Sequence, residues 1–172
     1  FGDVRGWVTG GFHRPGSGML VSLAGQSEEG WRQNADYLLG NGVLRGWRSV
    51  GAGRLEGGLY LYGSDWNSPG FVSVDRYNQG DLEAATDTTD GGDGQRYIGT
   101  LRYGLPLGPK TTLDAQLWGQ LAQSTVFLTL PEDDVLRQTA ERDDREALGF
   151  QALLNRATDD GEFSLGASGR AA

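Results

Sequence analysis

The chain has 172 residues, a net charge of −8 at pH 7 and no cysteine. The negative charge argues against nucleic acid as a partner, because phosphate binding needs a basic surface, and the lack of cysteine excludes disulfides and cysteine-ligated metal sites. Only 37% of the residues are hydrophobic and 29 are glycine, which favours β-structure with many turns.

Hydrophobic and polar residues alternate with a period of two along most of the chain, which is typical of strands with one apolar and one polar face. About eight strands are predicted. In chain order they cover residues 4–12, 19–26, 43–54, 58–65, 95–105, 112–127, 148–155 and 163–168. In the clearest of them, Leu113, Leu117 and Leu121 share one parity while Gln116 and Gln120 share the other.

The predicted connections alternate between short and long. Short turns rich in Gly, Pro or Asp are predicted at residues 14–17, 55–57, 106–110 and 158–161, and long connections at 27–42, 66–94 and 128–140. The glycines at 51–53 are interpreted as a bend within a strand or as a place where another part of the protein approaches closely. Short turns at one end and long loops at the other are the layout of an outer-membrane β-barrel.

Aromatic residues near the predicted strand ends also favour a membrane, because such residues gather where lipid meets water. They are Tyr62, Trp66, Tyr97, Tyr103 and Phe127. No transmembrane helix is expected, since the longest stretch without a charge, 115–131, is too short and contains three glutamines. The predicted fold class is all-β, an antiparallel transmembrane β-barrel segment, although a soluble β-sandwich would alternate in the same way.

Two blocks carry a family resemblance. Residues 30–34 read Gly-Trp-Arg-Gln-Asn, and residues 65–71 read Asp-Trp-Asn-Ser-Pro-Gly-Phe. The first resembles an early extracellular loop of TonB-dependent receptors, and the second resembles the strand end and Pro-Gly turn that open a long external loop in that family. The resemblance extends over all 172 residues as a rhythm of strands and loops, but only these blocks are alike in sequence.

The resemblance implies a bacterial outer-membrane protein that imports a scarce nutrient such as an iron siderophore. Receptors of this class close about twenty-two strands around a plug domain. Residues 1–172 would then be a single barrel segment, the N-terminal part of the wall, with the plug and the remaining strands absent. The first residues lack an initiator Met and a leader, and the last lack the usual closing aromatic residue, so we expect an excised segment or a processed product. Expected partners are the plug, the rest of the barrel, the lipid bilayer, the small nutrient ligand and, through the plug, the inner-membrane TonB energy complex.

Candidate ligand-binding residues lie in or beside the long predicted loops, where aromatic rings and guanidinium groups can hold an anionic or aromatic chelate. These residues are Trp31, Arg32, Trp66, Phe71, Arg76 and Tyr77. An interfacial belt for Trp66 and loop packing for the others is the plainer interpretation. Three arginines are candidates for contact with plug carboxylates because they occupy the polar alternate positions of their strands. They are Arg5, Arg96 and Arg102.

Other motifs give no catalytic or cofactor site, so no enzyme activity, cofactor or metal is expected. His13 is the only histidine, and we expect it to face solvent or to pack at a turn. Residues 166–170 lack the final glycine of a nucleophile elbow, and the glycines at 51–57 miss the dinucleotide spacing. The acidic run at 87–94 misses the EF-hand pattern and is predicted to be a mobile loop, whereas those at 132–134 and 141–146 are interpreted as solvated strand extensions.

Two other functions remain open from the sequence. The chain would be a complete eight-stranded outer-membrane barrel if its last strand paired with its first. It would be a soluble β-sandwich, for example a glycan-binding module, if the apolar rows packed against a second sheet.

Overall fold

A computed structural model describes residues 2–132 and 135–172, and these form one sheet of eight antiparallel strands in chain order. The strands are β1 (Asp3–Arg14), β2 (Ser17–Glu28), β3 (Tyr37–Val50), β4 (Gly53–Asn67), β5 (Gly91–Gly108), β6 (Thr111–Glu132), β7 (Val135–Thr158) and β8 (Gly161–Ala171). A short helix, α1 (Val74–Asn78), lies between β4 and β5. The predicted all-β, antiparallel fold is therefore confirmed, and the sheet is open, with β1 and β8 as its edges.

The strand register explains why the sheet has two chemically different faces. Residues directly opposite each other on neighbouring strands project to the same face, so a row such as Leu61, Tyr97 and Leu121 continues across three strands. We call the face that carries this row the apolar face. Its large side chains include Val4, Val8, Phe12, Met19, Val21, Leu23, Leu44, Leu59, Leu61, Tyr97, Leu101, Tyr103, Leu105, Leu113, Leu117, Leu121, Leu148, Phe150, Leu154 and Leu165.

The apolar face has no second layer packed on it. Val4 is 70% exposed, Leu148 65% and Leu117 55%. Among the described residues only Ala84 and Ala85 are buried hydrophobic residues, and both lie outside the strands. The sheet is therefore held by its main-chain hydrogen bonds and by neighbours on one face, not by a core beneath it.

The opposite face, which we call the polar face, carries charged, amide and hydroxyl groups with interspersed tryptophans. Arg5, Arg96 and Arg102 lie on it, as predicted from their parity. Its other members include Gln26, Arg45, Trp47, Arg54, Glu56, Tyr60, Trp118, Gln116, Gln120 and Gln151.

Four connections of two residues each join the strands at one end of the sheet, which we call the turn end. The predicted turn at 55–57 is wrong: Val50 pairs with Gly53, so the β3–β4 turn is Gly51-Ala52. Gly51 has a φ of +60°, a left-handed conformation that glycine adopts at no steric cost. The glycines interpreted as a bend within a strand therefore form the turn itself, and residues 55–57 continue β4.

At the opposite end, the loop end, the predicted connection over 128–140 is also wrong. β6 continues to Glu132 and β7 starts at Val135, with the two strands paired throughout. Beyond Phe127, which pairs with Gly91 of β5, this hairpin extends past the rest of the sheet. The interpretation of 141–146 as a strand extension is confirmed, and Asp133 and Asp134 lie outside the described residues. The other connections are shorter than predicted, at 29–36 and 68–90.

The aromatic residues predicted to form an interfacial belt divide between the two faces. Tyr97, Tyr103 and Phe127 lie on the apolar face, but Tyr62 and Trp66 lie on the polar face. Tyr62 and Trp66 therefore do not share a face with the other three aromatic residues, because in β4 the apolar row is formed by the residues of the other parity. No helix within the described residues has the length and apolar character needed to cross a bilayer.

Candidate functional site

The long β4–β5 connection is fastened to the loop end by the side chain of Arg32. Its Nη1 donates a hydrogen bond to the carbonyl oxygen of Gly70 (2.8 Å). Its Nη2 donates to the carbonyl oxygens of Pro69 (3.3 Å) and Ala84 (2.9 Å). The guanidinium group therefore closes segment 69–84 into a compact loop, because three carbonyl groups distant in sequence converge on one cation.

Asn34 provides a second attachment point for the same connection. Its Nδ2 donates to the carbonyl oxygens of Ser68 (2.8 Å), Asp90 (2.8 Å) and Asp87 (3.3 Å). Its φ of 58° is left-handed, a conformation that asparagine tolerates better than most residues. Asn34 thus joins the end of β4 to the start of β5.

Asp90 links this connection to the β6–β7 hairpin. Its carboxylate is 1% exposed, and Oδ1 accepts hydrogen bonds from Thr129 Oγ1 (2.8 Å) and Gln138 Nε2 (3.1 Å). Its other oxygen, Oδ2, has no hydrogen-bond partner within the described part of the chain. We call Arg32, Asn34 and Asp90 together the loop clamp, since they join the 29–36 and 68–90 connections to the strands of the β6–β7 hairpin in one cap.

The acidic run at 87–94, predicted to be a mobile loop, is held in place. Asp87 accepts hydrogen bonds from Thr89 through Oγ1 (2.6 Å) and the main-chain nitrogen (2.8 Å), and these bonds lower the pKa of the Asp87 carboxyl group. The glycines that follow Asp90 belong to β5. Among the residues that the structure describes, no three acidic or histidine side chains gather closely enough to hold a metal ion.

Below the cap, the polar face forms a groove of about 620 Å³, which we call the loop-end groove. Tyr62 and Trp66 of β4, Arg96 of β5 and the pair Asp143 and Arg145 of β7 line it. Arg145 Nε donates to Asp143 Oδ1 at 3.0 Å. The groove therefore offers flat aromatic surfaces beside guanidinium groups, which suits a planar or anionic ligand.

The six predicted ligand-binding residues do not form one site. Arg32 is used by the clamp, and Trp66 lies in a strand and faces the loop-end groove. Trp31, Phe71 and Tyr77 are exposed on the cap, the last at 66%. These three side chains can therefore contact a ligand only at the solvent-exposed surface of the cap.

Arg76 also lies on the cap. It contacts the carbonyl oxygen of Ala85 (3.4 Å) and the carboxylate of Asp81 (3.8 Å). The same residue is half exposed, so these contacts leave part of its guanidinium group open to solvent.

The three arginines predicted to face a plug differ in their partners. Arg5 forms an ion pair with Asp3 (2.7 Å), and Arg102 with Asp114 (2.7 Å). Arg96 lines the loop-end groove beside Trp66. Arg96 was therefore predicted to be functional, but as a contact to a plug and not as part of this groove. Tyr62 and Arg145 were missed, although each has the polar-face parity of its strand.

A second groove of about 700 Å³ lies on the polar face near the turn end. There the Arg54 guanidinium carbon is 4.1 Å from the centroid of the Trp47 ring, and the His13 ring is 5.5 Å from the same residue. Arg54 also pairs with Glu56 (2.8 Å). His13 thus packs near a turn, as predicted.

Ser168, the serine of the apparent nucleophile motif, lies in β8 opposite Gln151. The only histidine of the chain is in β1, at the other edge of the sheet. The serine and the histidine are therefore too far apart to form a catalytic pair.

Comparisons of the chain with protein families, with curated proteins and with solved structures found no match.

Proposed function

We propose that this chain is part of the wall of an outer-membrane TonB-dependent receptor and that it serves energised uptake of a scarce nutrient such as an iron siderophore. The observation that supports this most is the exposed apolar face on one side of an open meander whose other face is polar. That arrangement suits a strand wall between lipid and an aqueous interior.

The height of the apolar rows matches a bilayer. The rows from Val4 to Phe12, Tyr97 to Leu105 and Leu113 to Leu121 each span nine residues. A strand that crosses the hydrocarbon layer at a tilt needs about 9 to 11 residues. In water the same face would be a contiguous exposed apolar surface, which on soluble proteins marks an interaction site.

The open edges favour a larger wall over an eight-stranded one. β1 and β8 each pair with a single neighbour. Unpaired main-chain groups facing lipid cost several kcal/mol each, so in a membrane these edges need further strands. A receptor barrel of about twenty-two strands would provide them and leave a lumen wide enough for a plug.

In this proposal the ligand enters at the loop end. The exposed Trp31, Phe71 and Tyr77 on the cap make the first contact, and the loop-end groove with Trp66 and Arg96 lies inside the wall. The polar face contacts the plug, which the inner-membrane TonB complex pulls to release the ligand. The chain contributes binding and enclosure and carries out no catalytic step.

A cysteine scan tests the membrane assignment cleanly, because the chain has no cysteine of its own. Single cysteines are placed along β6 from 113 to 121 and spin-labelled in the full chain with phospholipid vesicles. We expect labels at odd positions to collide with lipid-dissolved oxygen and labels at even positions to collide with a water-soluble nickel complex.

The same scan separates the alternatives. Labels at odd positions shielded from both reagents would indicate a soluble β-sandwich, and labels accessible to nickel at every position would exclude a membrane wall. Cysteine pairs placed across β1 and β8 distinguish the two barrels. Rapid disulfide formation would indicate a complete eight-stranded barrel and would contradict a larger receptor.

A further inference from the structure

The charges that border the apolar face are segregated by end. At the turn end the strand positions of this face carry Arg14, Arg48 and Arg156. Its acidic residues lie towards the loop end. They are Asp65, Asp93, Asp144 and Glu146. One arginine, Arg142, lies among them and forms an ion pair with Asp144. A lipid-facing surface with this pattern presents arginines that are unpaired among the described residues at the turn end and a net negative charge towards the loop end.

Two of the three arginines lie in one row. Arg14 pairs with Ser17 across β1 and β2, and Ser17 pairs with Arg48 across β2 and β3. Neighbouring strands are about 4.8 Å apart, so the two arginine main chains are separated by about 10 Å with the serine between them. We call Arg14, Ser17 and Arg48 the arginine row. Two guanidinium groups and a hydroxyl group that flank one point are a donor set suited to a phosphate.

The arginine row is not neutralised by the protein. Elsewhere in the sheet, arginines form ion pairs with carboxylates, as Arg54, Arg102 and Arg142 do. Arg14 instead lies over the ring of Phe12, at 5.6 Å from its centroid. Arg14 and Arg48 are both exposed, and neither forms an ion pair within the described residues.

The surroundings of the row indicate which kind of phosphate it would meet. Directly towards the loop end, the same face continues into Phe12, Met19 and Val21. A long arginine side chain at such a border lays its methylene groups on apolar surface and extends its charge to the water layer. The phosphate that fits is therefore one with hydrocarbon attached.

We propose that the arginine row binds the phosphate of an anionic glycerophospholipid in the leaflet beside the turn end, with the acyl chains along the adjacent apolar rows. This inference rests on the proposed membrane function and adds a lipid partner and a fixed orientation to it. Clusters of basic residues at a membrane surface attract anionic headgroups in a manner that salt weakens.

The test measures flotation of the full chain with two kinds of vesicle, phosphatidylcholine alone and an equal mixture with phosphatidylglycerol. At low salt we expect the mixture to be preferred by about tenfold to thirtyfold, from a typical contribution of about fivefold per arginine. R14Q/R48Q should lose most of this preference and keep its binding to phosphatidylcholine. R14K/R48K should keep most of it.

A matched control removes the same charge from the other face. Arg45 and Arg170 lie on the polar face, so R45Q/R170Q should leave the preference unchanged. If this control lost as much of the lipid preference as R14Q/R48Q, the preference would be a net-charge effect and the proposal would be overturned. Far-UV circular dichroism checks that each variant keeps its sheet.

Two outcomes separate failure of the lipid site from failure of the membrane function. Binding to both vesicles without preference would overturn the lipid site and leave the membrane function standing, whereas no binding to either would overturn both. If inorganic phosphate removed the preference far more effectively than chloride at equal ionic strength, the row would be a site for free phosphate, and the lipid proposal would be wrong.

Discussion

The strands and the cap are stabilised in different ways. In the strands, main-chain ladders run from β1 to β8, and few side chains are needed to hold the sheet. In the cap, two side chains, Arg32 and Asn34, satisfy six carbonyl oxygens. Repeated main-chain bonding spreads stability over many residues, whereas the cap concentrates it in a few, so single substitutions should affect the two regions very differently.

The largest effect is expected for Arg32→Ala. The substitution removes three hydrogen bonds from a charged donor, each typically contributing about 1.5–3 kcal/mol. We expect the free energy of local opening of residues 68–90 to fall by about 3 kcal/mol or more, with faster amide hydrogen exchange there and little change in the strands.

Arg76→Ala is the matched control for that substitution. Arg76 lies in the same connection but is half exposed and makes only long contacts, so its loss should change exchange little. Equal exchange in both variants, or faster exchange in the strands for Arg32→Ala, would contradict the contrast between cap and sheet.

A charge in the middle of an apolar row tests whether the two faces of the sheet meet different surroundings. Leu117 lies midway between Leu113 and Leu121, and Leu117→Arg should destabilise the inserted chain by about 2–4 kcal/mol, the usual cost of arginine at the bilayer midplane. Gln116→Arg, one residue earlier and on the polar face, should cost much less. Denaturant titration of the chain in vesicles measures both, and similar costs would argue against a lipid-facing row.

Thr129→Val sharpens the comparison at the junction of the two regions. The hydroxyl group of Thr129 is 2.8 Å from the buried Asp90 carboxylate, and valine keeps the shape without the donor. Loss of a hydrogen bond to a buried charged group costs about 1–3 kcal/mol. We expect faster amide hydrogen exchange at Asp90 and at the paired residues Thr129 and Gln138, with exchange in β1 and β2 unchanged. An equal increase in exchange along all strands would show that Asp90 does not act as part of the clamp.

The smallest expected effect concerns the pH dependence of the cap. Hydrogen bonds from Thr89 hold the pKa of Asp87 below its ordinary value of 3.8. A carboxyl group with a lowered folded pKa stabilises the fold above its unfolded pKa, and this stabilisation is lost as the pH falls through the folded pKa. Thr89→Val should raise the pKa of Asp87 towards 3.8, as measured by NMR titration, and an unchanged pKa would assign the shift to another group.

The sequence was sufficient for the sheet because its information is local. In β6, alternation alone separates Leu113, Leu117 and Leu121 from Gln116 and Gln120, and the register places these sets on opposite faces. The positions of the turns along the chain were harder to predict. The glycines at 51–53 and those at 57–58 both suit a turn, and only the pairing of Val50 with Gly53 decides between them.

The clamp was not predictable, because its bonds join residues that periodicity does not relate. Arg32 contacts residues 37 to 52 positions away. The run at 30–34 carries a family resemblance, but the sequence predicts only ligand contact or loop packing for Arg32 and no separate role for Asn34. A polar side chain that reaches main-chain carbonyl groups leaves no repeating pattern in the sequence.

The four tight turns also constrain how the sheet can change over evolutionary time. With two residues in each turn, a strand cannot absorb a single inserted or deleted residue by shifting into slack at that end. Such an event would exchange the outward and inward side chains beyond it, since side-chain direction repeats every second residue. Length variation in this sheet should therefore accumulate in the connections at 29–36 and 68–90, and within strands it should come in pairs.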